Sequence, residues 1–188
     1  AVSWHRPPRA PFTMRQPRFW LICLALAGLM GGGVARADEL SEVQRLHAAG
    51  QIDQAIQRAE KFLAAKPKDA QMRFAVGVML AETRRSAEAM AAFERLVEDY
   101  PELPEPYNNL ATLKAAAGDY EGAKASLDQA LRANPNLALA HENMGDVQLM
   151  LAMRAYGRVL QLDPANNTVP AKLVLLRQLL KVPARATP

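Results

Sequence analysis

Cysteine is nearly absent from this chain of 188 residues: the single example, Cys23, sits inside an apolar run near the beginning. A lipid-bearing cysteine would follow such a run after a small residue, whereas Cys23 is preceded by Ile22 and by only part of the run. Beyond residue 23 there is no thiol, which excludes disulfides, thiolate nucleophiles and cysteine metal sites there. Histidine is almost as scarce. His47 and His141 stand far apart, and neither has a second His four residues away to complete a helical metal pair. Ser41, Ser86 and Ser126 have no strand–turn–helix context of the kind that exposes a nucleophile. Glycines are scattered, with no phosphate-cradling loop, and no cofactor is expected. Carboxylates such as Glu94, Glu98 and Asp99 read as solvated helix faces. These absences argue against an enzyme.

Long apolar runs are also missing. The longest, FWLICLALAGLMGGGV, is strongly apolar for about 12 residues before its glycines, short of the ~20 a spanning helix needs. It follows MRQPR from Met14 and precedes ARA and Asp38-Glu39. A basic start, a short apolar centre and a small-x-small site are the layout of a secretory signal peptide, with cleavage expected after Ala37. An uncleaved anchor is the alternative. Residues 1–13 read as upstream sequence, and the expected destination is the periplasm. An excess of basic charge disappears with this segment. Arg6, Arg9, Arg15, Arg18 and Arg36 are five of the 23 Lys+Arg, leaving 18 against 19 Asp+Glu and a net of −1. The pI of about 9.4 therefore belongs to the leader and is no footprint of nucleic-acid binding.

What the chain does have is a period. Pro67, Pro101 and Pro135 lie 34 residues apart, as do Ala55, Ala89 and Ala123; Val43, Gly77, Ala111 and Gly145 keep the interval, and Gly50 and Gly118 stand at twice it. Each unit contains two helical patterns, as in PYNNLATLKAAAG followed by YEGAKASLDQALRANP, with Gly118-Asp119 as the turn between them. Small residues at Gly77, Gly145 and Ala123 suit close helix crossings, and Phe62, Phe93 and Leu127 suit the gaps between neighbouring pairs. The closing Pro ends the second helix and redirects the chain. The first unit has a wetter face at Glu42, and Lys114 and Gln148 replace the apolar Leu46 and Leu80 of earlier units.

The pattern resembles the tetratricopeptide repeat family, closely over residues 70–137 and more weakly over 38–69 and 138–164. The expected fold is all-α: a right-handed helix-turn-helix solenoid of about four repeats plus a C-terminal helix. The expected units are 38–69, 70–103, 104–137 and 138–164, with an end helix at 169–181 and a disordered tail at 182–188.

The fourth unit is short, closing at Pro164 only 29 residues after Pro135. Asn143, Met144, Gly145 and Gln148 keep the 34-residue register, whereas Ala152, Tyr156 and Val159 sit 29 after Ala123, Leu127 and Ala130. The five missing residues are the turn. A helix running from 138 to 162 is expected, with a bend near Met150 as the alternative. One stripe of that helix would be Ala140, Met144, Val147 and Leu151; a second, on the opposite side, would be Leu149, Met153, Tyr156 and Leu160. The last helix, AKLVLLRQLLK, is greasier than a solenoid cap requires. It is expected to cover the second stripe or to join Leu149, Met153, Tyr156, Leu160, Leu176 and Leu180 in a homodimer contact. A membrane-surface role using Lys172, Arg177 and Lys181 is a further alternative.

The resemblance implies function through a concave surface lined by the first helices of successive units, holding a protein or peptide. The positions it implies are Gln71, Phe74, Val78, Glu105, Asn108, Asn109, Thr112, Glu142, Asn143 and Asp146. Asn109 and Asn143, one repeat apart, resemble a two-rung amide ladder, though Asn there also supports the fold. Phe74 with Glu105, Glu142 and Asp146 suggests a partner part apolar and part basic. The expected role is a scaffold or assembly factor of the bacterial cell envelope, with a self-associating module as the alternative.

Overall fold

A computed structural model describes residues 33–180, with side chains from Glu39 onward. Those residues form eight helices and no strand: α1 Gly33–Ala48, α2 Ile52–Ala65, α3 Ala70–Glu82, α4 Ser86–Asp99, α5 Pro104–Ala116, α6 Tyr120–Ala133, α7 Ala138–Leu162 and α8 Val169–Leu179. The leader up to residue 32 and the tail from residue 181 lie outside the described residues, and the expected cleavage point after Ala37 falls within α1. The first six helices are three antiparallel hairpins, each packed on the next.

Local chemistry sets the helix ends. Asp69 and Asp119 cap α3 and α6, accepting hydrogen bonds at 2.9 Å from the backbone N–H groups of Met72 and Gly122. The residues before four prolines, Lys66, Tyr100, Asn134 and Asp163, have φ of −134°, −137°, −141° and −132°. This is the extended backbone that a following proline ring enforces. The N–H of each closes its helix onto Phe62, Leu96, Ala130 or Val159. The fourth closure is thus built like the others and merely arrives five residues early.

Inside the hairpins, Gly50 (φ 74°) and Gly118 (φ 85°) make left-handed turns. Arg84 occupies the equivalent place between them at φ 61°, and an L-residue there costs about 1–2 kcal/mol. One repeat further on stands Ala152, and no turn forms: α7 is a single helix of 25 residues, about 37 Å long. The through-helix expected from the sequence is therefore present. Its first stripe behaves as expected, with Ala140 and Val147 fully buried and Met144 and Leu151 packed on the same core.

Two apolar clusters fill the solenoid. One joins α1 to α5 around Phe93, Met72, Met79 and Ile56; the other joins α5, α6 and α7 around Ala111, Ala123, Leu127 and Val147. At Gly77 an added Cβ would lie 2.6 Å from the Phe93 ring, so the α3–α4 crossing requires glycine. The same expectation for Gly145 is corrected. It is exposed, with nothing within 4 Å of an added Cβ, because no second helix folds back on it. Gln148 is exposed for the same reason. Lys114 is accommodated differently, its ammonium donating to Ser126 Oγ at 3.1 Å, while Ser126 donates to the carbonyl of Gly122.

Candidate functional site

Helices α3, α5 and the first half of α7 stand side by side, and the side they share holds the residues that the sequence marked. Two hydrogen bonds tie neighbouring first helices together. From α1 to α3, His47 Nε2 and Glu82 Oε2 are 2.5 Å apart. From α7 to α5, Asn143 Nδ2 donates to Asn108 Oδ1 at 2.8 Å. Both pairs are separated by 35 residues, one more than the repeat. The 34-residue interval measures backbone equivalence, whereas the side chains that meet between two inclined helices are offset by a residue.

Of the two amides that stand one repeat apart, Asn143 is engaged by its neighbour Asn108. Asn108 is buried, at 4% exposure, and Thr112 Oγ1 donates to its backbone carbonyl. Asn109 is 9% exposed, and its carboxamide reaches solvent without a protein partner among the described residues. Val78 is also corrected, being withdrawn into the apolar core at 7% exposure. Phe74 is half-buried, its ring 5.7 Å from that of Phe93 and tilted 53°, so it is a wall of the surface more than a free anchor. Gln71, Glu105, Thr112, Asn143 and Asp146 are half-buried, and Glu142 is exposed.

The charge of this surface is one-sided. Among the described residues no cation pairs with Glu105, Glu142 or Asp146. The cations of the first helices are engaged elsewhere, Arg45 with Glu42, Arg73 with Asp99 and Lys114 with Ser126. Burial, and secondarily the neighbouring Glu142, raise the proton affinity of Asp146 above the ordinary aspartate range. The surface therefore offers amides, an aromatic wall and negative charge lacking counter-charge.

Other candidate groups do not converge on it. His141 bonds the carbonyl of Pro135, and Ser126 is buried behind Lys114. At the far end, α8 lies along α7, burying Val169 and Leu173 and placing the Lys172 ammonium 5.3 Å from the centre of the Tyr156 ring. Leu149, Met153, Tyr156, Leu160, Leu176 and Leu180 are all half-buried within one copy. The sequence reading missed the His47–Glu82 and Asn108–Asn143 bridges, whose signal was a spacing of 35. On α8 the helical spacing sets Leu173, Leu176 and Leu180 on one stripe, and the structure turns that stripe inward, with Leu173 buried and the other two half-buried.

A helical-repeat solenoid whose first helices share one side defines the class. Residues 40–104 and 104–137 match the tetratricopeptide repeat, and the chain belongs to that family. The solved structures it is similar to include the first tetratricopeptide domain of human RPAP3, at 18% identity over 61% of this chain and 90% of that one, with a TM-score of 0.57. A thermophilic tetratricopeptide protein of Thermus thermophilus is 22% identical over 77% of this chain and 82% of its own, also with a TM-score of 0.57. MamA is 19% identical over 72% of this chain and 82% of its own, with a TM-score of 0.56. No curated protein matches the chain significantly.

Proposed function

We propose that this protein is an exported scaffold or assembly factor of the bacterial cell envelope, holding an extended, partly basic segment of a partner protein on its concave side. The observation that carries the reading is the trio Glu105, Glu142 and Asp146, unpaired beside the amides of Asn109 and Asn143. A lysine or arginine laid there supplies the missing counter-charge, while a carboxamide both donates to and accepts from a peptide backbone. That this kind of fold can hold a peptide is supported by the first tetratricopeptide domain of Spaghetti (RPAP3), solved with an HSP90 peptide and 18% identical to this chain. Export rests on the leader from Met14 to Ala37.

The test is photocrosslinking in living cells with the probe at Glu142, and at Glu94 on α4 as a control. The expected result is a discrete adduct with an envelope protein at 142 alone, weakened by Glu105→Gln with Asp146→Asn. N-terminal sequencing of the crosslinked material should begin at Asp38. Adducts only with further copies of the chain, or none at 142, would overturn the groove. A full-length chain confined to the cytoplasm would overturn export.

A further inference from the structure

Helix α8 has two apolar sides. One is used: Val169 and Leu173 are buried and Leu176 and Leu180 half-buried, α8 lying along α7. At 100° per residue the opposite arc holds Val174, Leu175 and Leu179, which are 49%, 60% and 56% exposed, with the exposed Ala171 and Gln178 between them, and Leu162 at the end of α7 is 69% exposed. Among the described residues these are the large apolar side chains left in water. Cations flank the arc on both edges, Lys172 beside Leu175 and Leu179, and Arg177 beyond Val174. No acidic residue occurs on α8. The outer half of α7 adds the exposed Arg154 and Arg158 against Asp163.

We propose that this end of the molecule rests on an anionic lipid surface, with α8 in the plane of the interface and Val174, Leu175 and Leu179 toward the acyl chains. Cations flanking an apolar arc fit that position, Arg177 laying its stem along the apolar layer with its charge toward headgroup phosphates and Lys172 doing so on leaving the Tyr156 ring. The patch is convex and follows a helix only about 16 Å long. A fluid surface admits such side chains without a matching pocket. A symmetric contact with a second copy fits poorly, because it would set the patch on itself and bring Lys172 and Arg177 against the same cations. Four side chains also fall short of the ~800 Å² per partner of a stable interface. No helix among the described residues is long and apolar enough to cross a membrane, so the contact is one of lying on the surface.

The leader is itself apolar, so the test must report from α8. An environment-sensitive fluorophore is attached through Leu179→Cys in a full-length Cys23→Ser background, with Glu94→Cys as the remote control. Vesicles of phosphatidylcholine and phosphatidylglycerol, two to one, should blue-shift and brighten the probe at 179 and leave that at 94 unchanged. Pure phosphatidylcholine should do little, and Lys172→Gln with Arg177→Gln should weaken partitioning about 30-fold, the factor for two surface cations. No shift at 179 with the anionic vesicles overturns the proposal. So does a shift that grows with protein concentration in their absence, which would assign the patch to a second copy.

Discussion

Glycine at two equivalent positions has opposite consequences in this protein. Gly77 faces the Phe93 ring, with an added Cβ only 2.6 Å away, whereas Gly145, two repeats later, faces open space. Gly77→Ala should therefore lower the melting temperature, the gain in helix propensity being outweighed by displacement of a buried ring. Gly145→Ala should raise stability by up to about 1 kcal/mol, the propensity difference alone. Thermal denaturation of both variants checks the pair, and destabilisation by Gly145→Ala would mean that a helix does cover it. The residue scale also holds the pH prediction. Because the folded-state pKa of Asp146 is raised, its carboxyl favours the folded state below its unfolded-state range and loses that contribution as pH rises through the raised value. Asp146→Asn should accordingly raise the melting temperature at neutral pH and change it little in acid. By the same argument, binding of a basic partner should weaken on acidification, as Asp146 takes up a proton.

The ordinary hairpins are legible because their signals are local and repeated. Prolines at 34-residue spacing force extended backbone at Lys66, Tyr100 and Asn134, and glycine permits the left-handed turn at residues 50 and 118. Between these two, Arg84 completes the turn without sequence warning, since the surrounding hairpin imposes its φ. The long α7 was legible by subtraction, through the five residues missing between Gly145 and Tyr156. The candidate surface was only half legible. Repeat position placed Asn108, Asn109 and Asn143 on the shared side, but which amide meets which depends on the inclination of α5 to α7. At α8 helical spacing separates the stripe of Leu173, Leu176 and Leu180 from Val174, Leu175 and Leu179, and the packing adds that the first stripe, with Val169, is the one facing inward. Leu173→Asp should release α8, seen as faster amide exchange over 169–179, with α1–α6 unchanged. Leu175→Asp, on the outer arc, should leave that exchange as it is. Equal exchange in the two variants would mean that α8 is not held by this face.

At the scale of the molecule, loss of one turn converts a fourth hairpin into a single helix that continues past the third. Its first half adds Glu142, Asn143 and Asp146 to the acidic side that α3 and α5 share with it, and its second half carries α8 and a basic, apolar end. Two surfaces of opposite character are thereby held on one rigid element, one suited to a basic protein segment and the other to an anionic surface. Everything in this arrangement depends on the continuity of α7. The most direct test is a distance measured by electron spin resonance between labels at the exposed positions Glu142 and Gln161, in a Cys23→Ser background. These positions are nineteen residues apart, so an unbroken helix predicts a backbone separation of about 29 Å with a narrow distribution. A hairpin folded near Met150 would instead bring them to about 10 Å, the spacing of packed helices, and would contradict the account.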